Sequence, residues 1–222
     1  MMQELTQEIK NLMQDVIRDV HTAIPGRVVS FDPDKCEATI QPTAKFRKPD
    51  GAMIDFPKIS EVPMYFPQSA LQKVSFVYHI KPGDECLIIM LEQALDQWRT
   101  GAESATELRF DMQNAIAIPG LFAKPNPLVK RAHDNESIII QRDDSFIELF
   151  GTTGQIDIFA TDDINVETEK DLNVKAANDI IVEAAANIKI TANANLDIKS
   201  VGAMTVNSDT SIAVTAPIVN IN

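Results

Sequence analysis

Histidine and cysteine, on which most metal and nucleophilic sites depend, are nearly absent from this 222-residue chain, which has three of the first and two of the second. His21, His79 and His133 are scattered, with no spacing that brings two of them onto one helix turn or one hairpin, so no zinc motif is present. Cys36 and Cys86 lack a CxxC spacing and are expected to be buried free thiols rather than a disulfide. Positive charge is short as well: 20 Lys and Arg stand against 32 Asp and Glu, a net charge of −12. With aromatics at 6% and no basic face to track phosphates, nucleic acid is excluded as a partner. Adhesion by charge to an anionic lipid surface is excluded on the same ground. No run approaches the ~18 apolar residues of a membrane span, and the first residues are too acidic and polar for a signal peptide. The expectation is a chain made and folded in a cytoplasm.

Catalytic constellations are equally scarce. His79 with Asp84, Glu85 and Cys86 is the one local group that can be nominated for nucleophilic chemistry, but it flanks the turn Lys81-Pro82-Gly83 and a strand with buried character. Gly151-Thr152-Thr153-Gly154 reads as a loop, since no Lys-Ser or Lys-Thr follows to make a phosphate cradle. No carboxylate pair for glycoside cleavage stands out among so many surface acids. A non-enzymatic structural protein without cofactor or metal is expected.

What the chain does contain begins with a helix. Leu5, Ile9, Leu12, Val16 and Val20 recur at three- and four-residue spacing, with Met13 and Ile17 widening the stripe, over 3–23 within an N-terminal segment 1–25 that Pro25-Gly26 should end. That stripe fits packing on its own domain, a three-helix contact or docking on a larger assembly. Residues 26–122 switch to short β segments broken by Pro and Gly: 26–31, 36–42, 53–66 and 84–90, with a helical patch from Glu92 to Trp98. Several short strands with one inserted helix point to a small barrel, an OB-fold first of all. Pro125 and Pro127 mark 123–137 as a linker.

The last segment, 138–222, carries the strongest pattern. From 156 to 219, apolar pairs at positions k and k+2 recur every eight residues. The pairs are Ile156 and Ile158, Ile164 and Val166, Leu172 and Val174, Ile180 and Val182, Ile188 and Ile190, Leu196 and Ile198, Met204 and Val206, Ile212 and Val214. Two apolar residues separated by one share a strand face, and the residue between them (Asp157, Asn165, Asn173, Lys189, Asp197, Thr205) faces water. Asp163, Asp171, Asp179, Asn187 and Asn195 precede their pairs and suit corners, because these side chains support turns. Each octad is then one short strand plus one corner. A period of eight fits neither 3.6 nor 3.5, so a long helix is excluded. A single chain coiled into three-sided turns would be a stub with an open edge at each end. Three chains wound about one axis would instead advance one strand spacing per octad, roughly 38 Å in all, with the sixteen pair residues filling a narrow trimer core. The Asp and Asn corners lack the glycine-rich nonapeptide of calcium β-rolls. Glu167, Lys175 and Glu183, alternating in sign at k+3, are solvated pairs of small energetic weight. The fold class expected is mainly β: an N-terminal helix, an OB-fold barrel, then an intertwined homotrimeric triple-stranded β-helix.

The segments VYHIKPGDECLIIMLEQALDQWRTG (77–101) and RFDMQNAIAIPGLF (109–122) resemble the end of the OB domain in central spikes, the cell-puncturing proteins of contractile-tailed bacteriophage baseplates. The octads are similar to the triple-stranded β-helix of those spikes. The resemblance implies a homotrimer attached to a trimeric baseplate hub, assembled in the host cytoplasm and sited at the baseplate tip of the virion. It further implies transient contact with the host outer membrane, which the needle pierces. Two features depart from the family: no lysozyme domain fits between barrel and needle, and no His-x-His for apical iron follows His133. A blunt tip or a separate tip protein is the corresponding expectation. The alternatives are a trimeric tailspike for receptor binding or polysaccharide cleavage, and the spike of a related bacterial secretion or bacteriocin particle.

Overall fold

The computed structural model describes residues 2–18, 20–48, 50–101 and 108–219. Helix α1 (Met2–Arg18) closes before the sequence pattern predicts, because strand β1 (Ala23–Asp32) has already begun before Pro25-Gly26. Those two residues do not end a helix. They sit within β1, opposite Leu87 and Cys86, and Gly26 is where neighbouring side chains close over the backbone. A Cβ there would lie 2.6 Å from both Ile40 Cγ2 and Ile88 Cδ1. Leu5, Ile9, Leu12 and Met13 of α1 are exposed, as is Val20 beyond it. The side chains of Val16 and Ile17 fall outside the described part, as do residues 220–222.

After β1 come β2 (Glu37–Pro42), the hairpin β3 (Lys45–Arg47) and β4 (Met53–Asp55), β5 (Ile59–Pro63), and the small hairpin β6 (Gln68–Ser69) and β7 (Val74–Ser75). β8 (Glu85–Met90), the short helix α2 (Asp96–Thr100) and β9 (Ala115–Pro119) follow. Five of these strands form one antiparallel sheet in the order β5-β2-β1-β8-β9. The sheet curls until its edges touch at a single parallel bridge, Met64 to Ala117, with Tyr65 N–H donating to the Ala117 carbonyl at 2.8 Å. Alternation explains its inside: β2, β8 and β9 bury every second residue. Val28, Ile40, Val62, Cys86, Ile88 and Ala117 meet there. The helical patch shrinks to α2, whose Arg99 reaches back to Glu37 of β2.

Two polar residues whose structural roles the sequence pattern does not show organise this domain. Asn114 is 2% exposed and its amide donates to the carbonyls of Leu91, Gln93 and Leu108, while its oxygen accepts from Leu95 N–H at 3.0 Å. Glu85 accepts from Ala123 N–H at 2.6 Å and pairs with Arg27 at 3.1 Å.

The expected linker carries a helix, α3 (Pro127–Asp134). Asn126 caps it, accepting from Leu128 N–H at 2.9 Å, and Pro127 occupies the first turn, where its missing N–H costs nothing. The proline that suggested a break is the start of an element. Next come β10 (Ser137–Arg142), β11 (Ser145–Phe150) and β12 (Ile156–Phe159), an antiparallel sheet in that order. The loop 151–154 joins β11 to β12, and Gly151 is required there because a Cβ would lie 2.4 Å from the Glu136 carbonyl oxygen.

Ile164–Asn222 is a separate unit. Its described residues contain no strand. They are punctuated by bends at 169–170, 177–178, 185–186, 193–194, 201–202 and 209–210, one bend every eight residues, continuing the bend at 161–162. The corners therefore fall one residue before the Asp and Asn positions named from sequence, and hydroxyls ahead of the bend close some of them. Thr168 Oγ1 accepts from Lys170 N–H at 3.2 Å, and Ser208 Oγ accepts from Thr210 and Ser211 N–H.

Candidate assembly interface

The sixteen pair residues expected to fill a core divide into two settings. Ile156 and Ile158 lie on β12, paired with Leu149 and Ile147 of β11 in the same chain. The other fourteen are in the octads from 164 onward, and the structure of one chain buries none of them. The leading members, Ile164, Leu172, Ile180, Ile188, Leu196, Met204 and Ile212, are 53% to 64% exposed. The following members, Val166, Val174, Val182, Ile190, Ile198, Val206 and Val214, are 65% to 70% exposed. The expected strands and core are therefore not features of the single chain, and the reason is physical. Among the described residues these octads form no strand, so none of them offers another octad of the same chain a ladder to pair with. Among the described residues, no backbone-to-backbone hydrogen bond links these octads within the chain. The chain thus displays a regular row of aliphatic side chains and unpaired peptide groups together. Both are expensive to leave so, the first through lost burial and the second through lost ladder bonds.

Upstream of the row, the sheet β10–β12 is fastened on one face. Glu148 of β11 has no exposed surface and takes hydrogen bonds from Asn135 Nδ2 at 3.0 Å, from Ser137 Oγ at 2.7 Å and from the Arg131 guanidinium. Burial pushes its carboxyl upward, but the bonds from Asn135, Ser137 and Arg131, with the Arg131 charge, outweigh that and hold it below the ordinary carboxylate range. Arg131 also lies 4.5 Å over the Phe146 ring, which stacks on Phe159 of β12 at 5.6 Å. Helix, middle strand and edge strand are held as one piece. Sequence reading misses this cluster, since Arg131 falls in a supposed linker and Glu148 reads as one more surface acid; the Asn-Pro start of α3 is the available signal.

The nucleophile candidates are dispersed into structural tasks. The Asp84 carboxylate accepts from Lys81 N–H at 2.8 Å, closing the Pro-Gly turn, and Glu85 is engaged by Ala123 and Arg27. Cys86 is buried in the core, and desolvation, aided by the Glu85 charge, pushes its thiol up to about 11. At neutral pH it is protonated, the unreactive form. Cys36 is free and half-buried, its thiol directed to the Met64 carbonyl at 3.5 Å, so both cysteines are thiols. His79 is exposed, on the wall of a cleft of about 780 Å³ between 76–81 and the β10–β12 sheet. Among the described residues, no group of three His, Cys, Asp or Glu side chains is placed to hold a metal ion. No described helix is long and apolar enough to cross a membrane.

No curated protein matches this chain. Residues 24–120, running from β1 to just past β9, match the family described as phage protein Gp138 N-terminal domain. The curled sheet and its loops are therefore similar to the N-terminal domain of a phage protein, with the octads lying beyond the matched stretch.

Proposed function

We propose that the protein is a structural spike of a contractile phage tail, sited at the baseplate tip of the virion, with no enzymatic activity. In this reading three copies attach through their barrels to a baseplate hub, and their octads wind about one axis into a needle that pierces the host outer membrane as the tail contracts. The observation that carries it is the coincidence of an eight-residue bend period with fourteen pair residues all more than half exposed. A single chain has no means of covering that row. Three chains bury it at once, because each octad then pairs with octads of the other two copies and turns its apolar pair to the axis. Eight such steps give a rod of roughly 38 Å, longer than the ~30 Å hydrocarbon layer of a bilayer.

The similarity of residues 24–120 to a phage protein domain supports the setting. Strand order supports the OB reading: β1, β2 and β5 pair in series, β8 returns to β1, and β9 meets the residue after β5 in parallel, as in a five-stranded Greek-key barrel. The deciding measurement is mass in solution. Light scattering should give about three times the 24.5 kDa of one chain, and a stable monomer at micromolar concentration overturns the architecture. Antibodies against the barrel should label the baseplate tip of intact particles; label elsewhere on the virion sinks the placement.

A further inference from the structure

The sheet β10–β12 has a second face that α3 does not touch. Burial alternates along the three strands except at Gln141 and Phe159, exposed on the α3 side, and at Ser145, half-buried on the other. Ser137, Ile139, Phe146, Glu148, Phe150 and Asp157, on the α3 side, are buried or half-buried, whereas the six aliphatic neighbours Ile138, Ile140, Ile147, Leu149, Ile156 and Ile158 are exposed. Those neighbours line up across the strands in two rows, Ile138–Leu149–Ile156 and Ile140–Ile147–Ile158. All six are aliphatic and 39% to 66% exposed. Six β-branched or leucyl side chains in register make an uncharged apolar face, whose Ile140–Ile147–Ile158 row also borders the cleft toward 76–81 and whose Ile138–Leu149–Ile156 row lies outside it.

We infer that this face packs against the same face of two further copies of this chain, forming an apolar plug that precedes the octads along the sequence. The inference rests on the trimer reading above and extends it to Ile138, Ile140, Ile147 and Leu149, four residues outside the octad series. The occupant follows from three observations. Ile156 and Ile158 belong both to this face and to the first octad, so the pattern that marks the octad pairs begins on the face itself. Neither row contains a charged or hydrogen-bonding side chain, so the face offers nothing to orient a polar partner and suits a copy of itself. Among the described residues, the outer edge of β12 pairs with no strand of its own chain and is ready for one from a neighbour. Clamping α3 on the opposite side by Arg131 and Glu148 keeps the six residues turned one way.

Disulfide trapping in the full chain tests this. Ile147→Cys, Leu149→Cys and Ile188→Cys are oxidised mildly beside the parent and an off-face control, Asp144→Cys, with thermal melts confirming that each variant folds. Around a three-fold axis two of three chains can pair, so about two-thirds of the Ile147→Cys or Leu149→Cys protein should run as a linked dimer, with none in the parent or the control. Linkage at Ile188→Cys but at neither sheet position overturns the plug and leaves the trimer standing. No linkage at any of the three overturns both. Linkage at the sheet positions alone upholds the face contact and removes the needle.

Discussion

The Arg131 guanidinium closes on the buried Glu148 carboxylate while lying over the ring of Phe146, which sits two residues before that acid on the same strand. One side chain thus ties the last turns of α3 to β11 through both charge and ring face. The pairing explains how a polar group survives with no solvent contact: the carboxylate has three donors, and each donor comes from α3, its cap or the start of β10.

Removing that charge should loosen the sheet. Glu148→Gln is expected to lower the melting temperature clearly at neutral pH, because Arg131 keeps its charge and loses its counter-charge. The sign with pH is definite. A carboxyl held below its ordinary value stabilises the fold above the ordinary value, about 4.3, and loses that contribution as pH falls further. Glu85 acts the same way, through Ala123 N–H first and Arg27 second. The parent should therefore lose stability on acidification below about pH 4.3, and Glu148→Gln should show a shallower loss over that range. Parallel slopes for the two proteins would contradict the assignment.

Gly26 should tolerate nothing larger. A Cβ at 2.6 Å from Ile40 and Ile88 must displace two core side chains on neighbouring strands. Gly26→Val is expected to cost about 1–3 kcal/mol, read from chemical denaturation of the full chain.

Asn114 is expected to be as sensitive although it is polar. Asn114→Ala leaves the carbonyls of Leu91, Gln93 and Leu108 without their side-chain donor, for a loss of about 1–3 kcal/mol. Asn114→Asp keeps an acceptor for Leu95 N–H but removes the donors, so it should rescue little. Full rescue by Asp would show that only the Leu95 bond matters.

What can be read from sequence is what repeats. The octads are legible because a fixed period needs no knowledge of partners, and the bends follow the same period in the structure. Whether Val166, Val174, Val182, Val206 and Val214 are covered is a different matter, because burial depends on a neighbour and one chain leaves all five exposed. The strands around Gly26, Cys86 and Ile88 are legible as alternating runs. Single-residue chemistry is not. Pro25 and Pro127 both read as breaks, yet one lies inside a strand and the other opens a helix, because what matters is whether the lost N–H had a partner. Arg131, Glu148 and Asn114 escape notice since a buried polar residue is indistinguishable from a surface one until its donors are placed. Ile138, Ile140, Ile147 and Leu149 escape it because their rows run across strands rather than along the chain.

The inside and outside of the octads can be separated by two substitutions of opposite placement. Ile188 and Ile190 are the fifth pair, and the trimer reading turns both to the axis. Ile188→Asp would set three carboxylates around that axis in a site without water, and burying such charges unpaired costs several kcal/mol each. Assembly should fail, with light scattering falling toward the 24.5 kDa of one chain. Asp197, between Leu196 and Ile198, faces the other way, so Asp197→Lys exchanges one solvated charge for another and should change stability by under about 0.5 kcal/mol. Raising salt should alter neither result, since screening acts on exposed charge and not on desolvation. If the two variants assemble alike, the pairs do not point inward and the octads are wound differently.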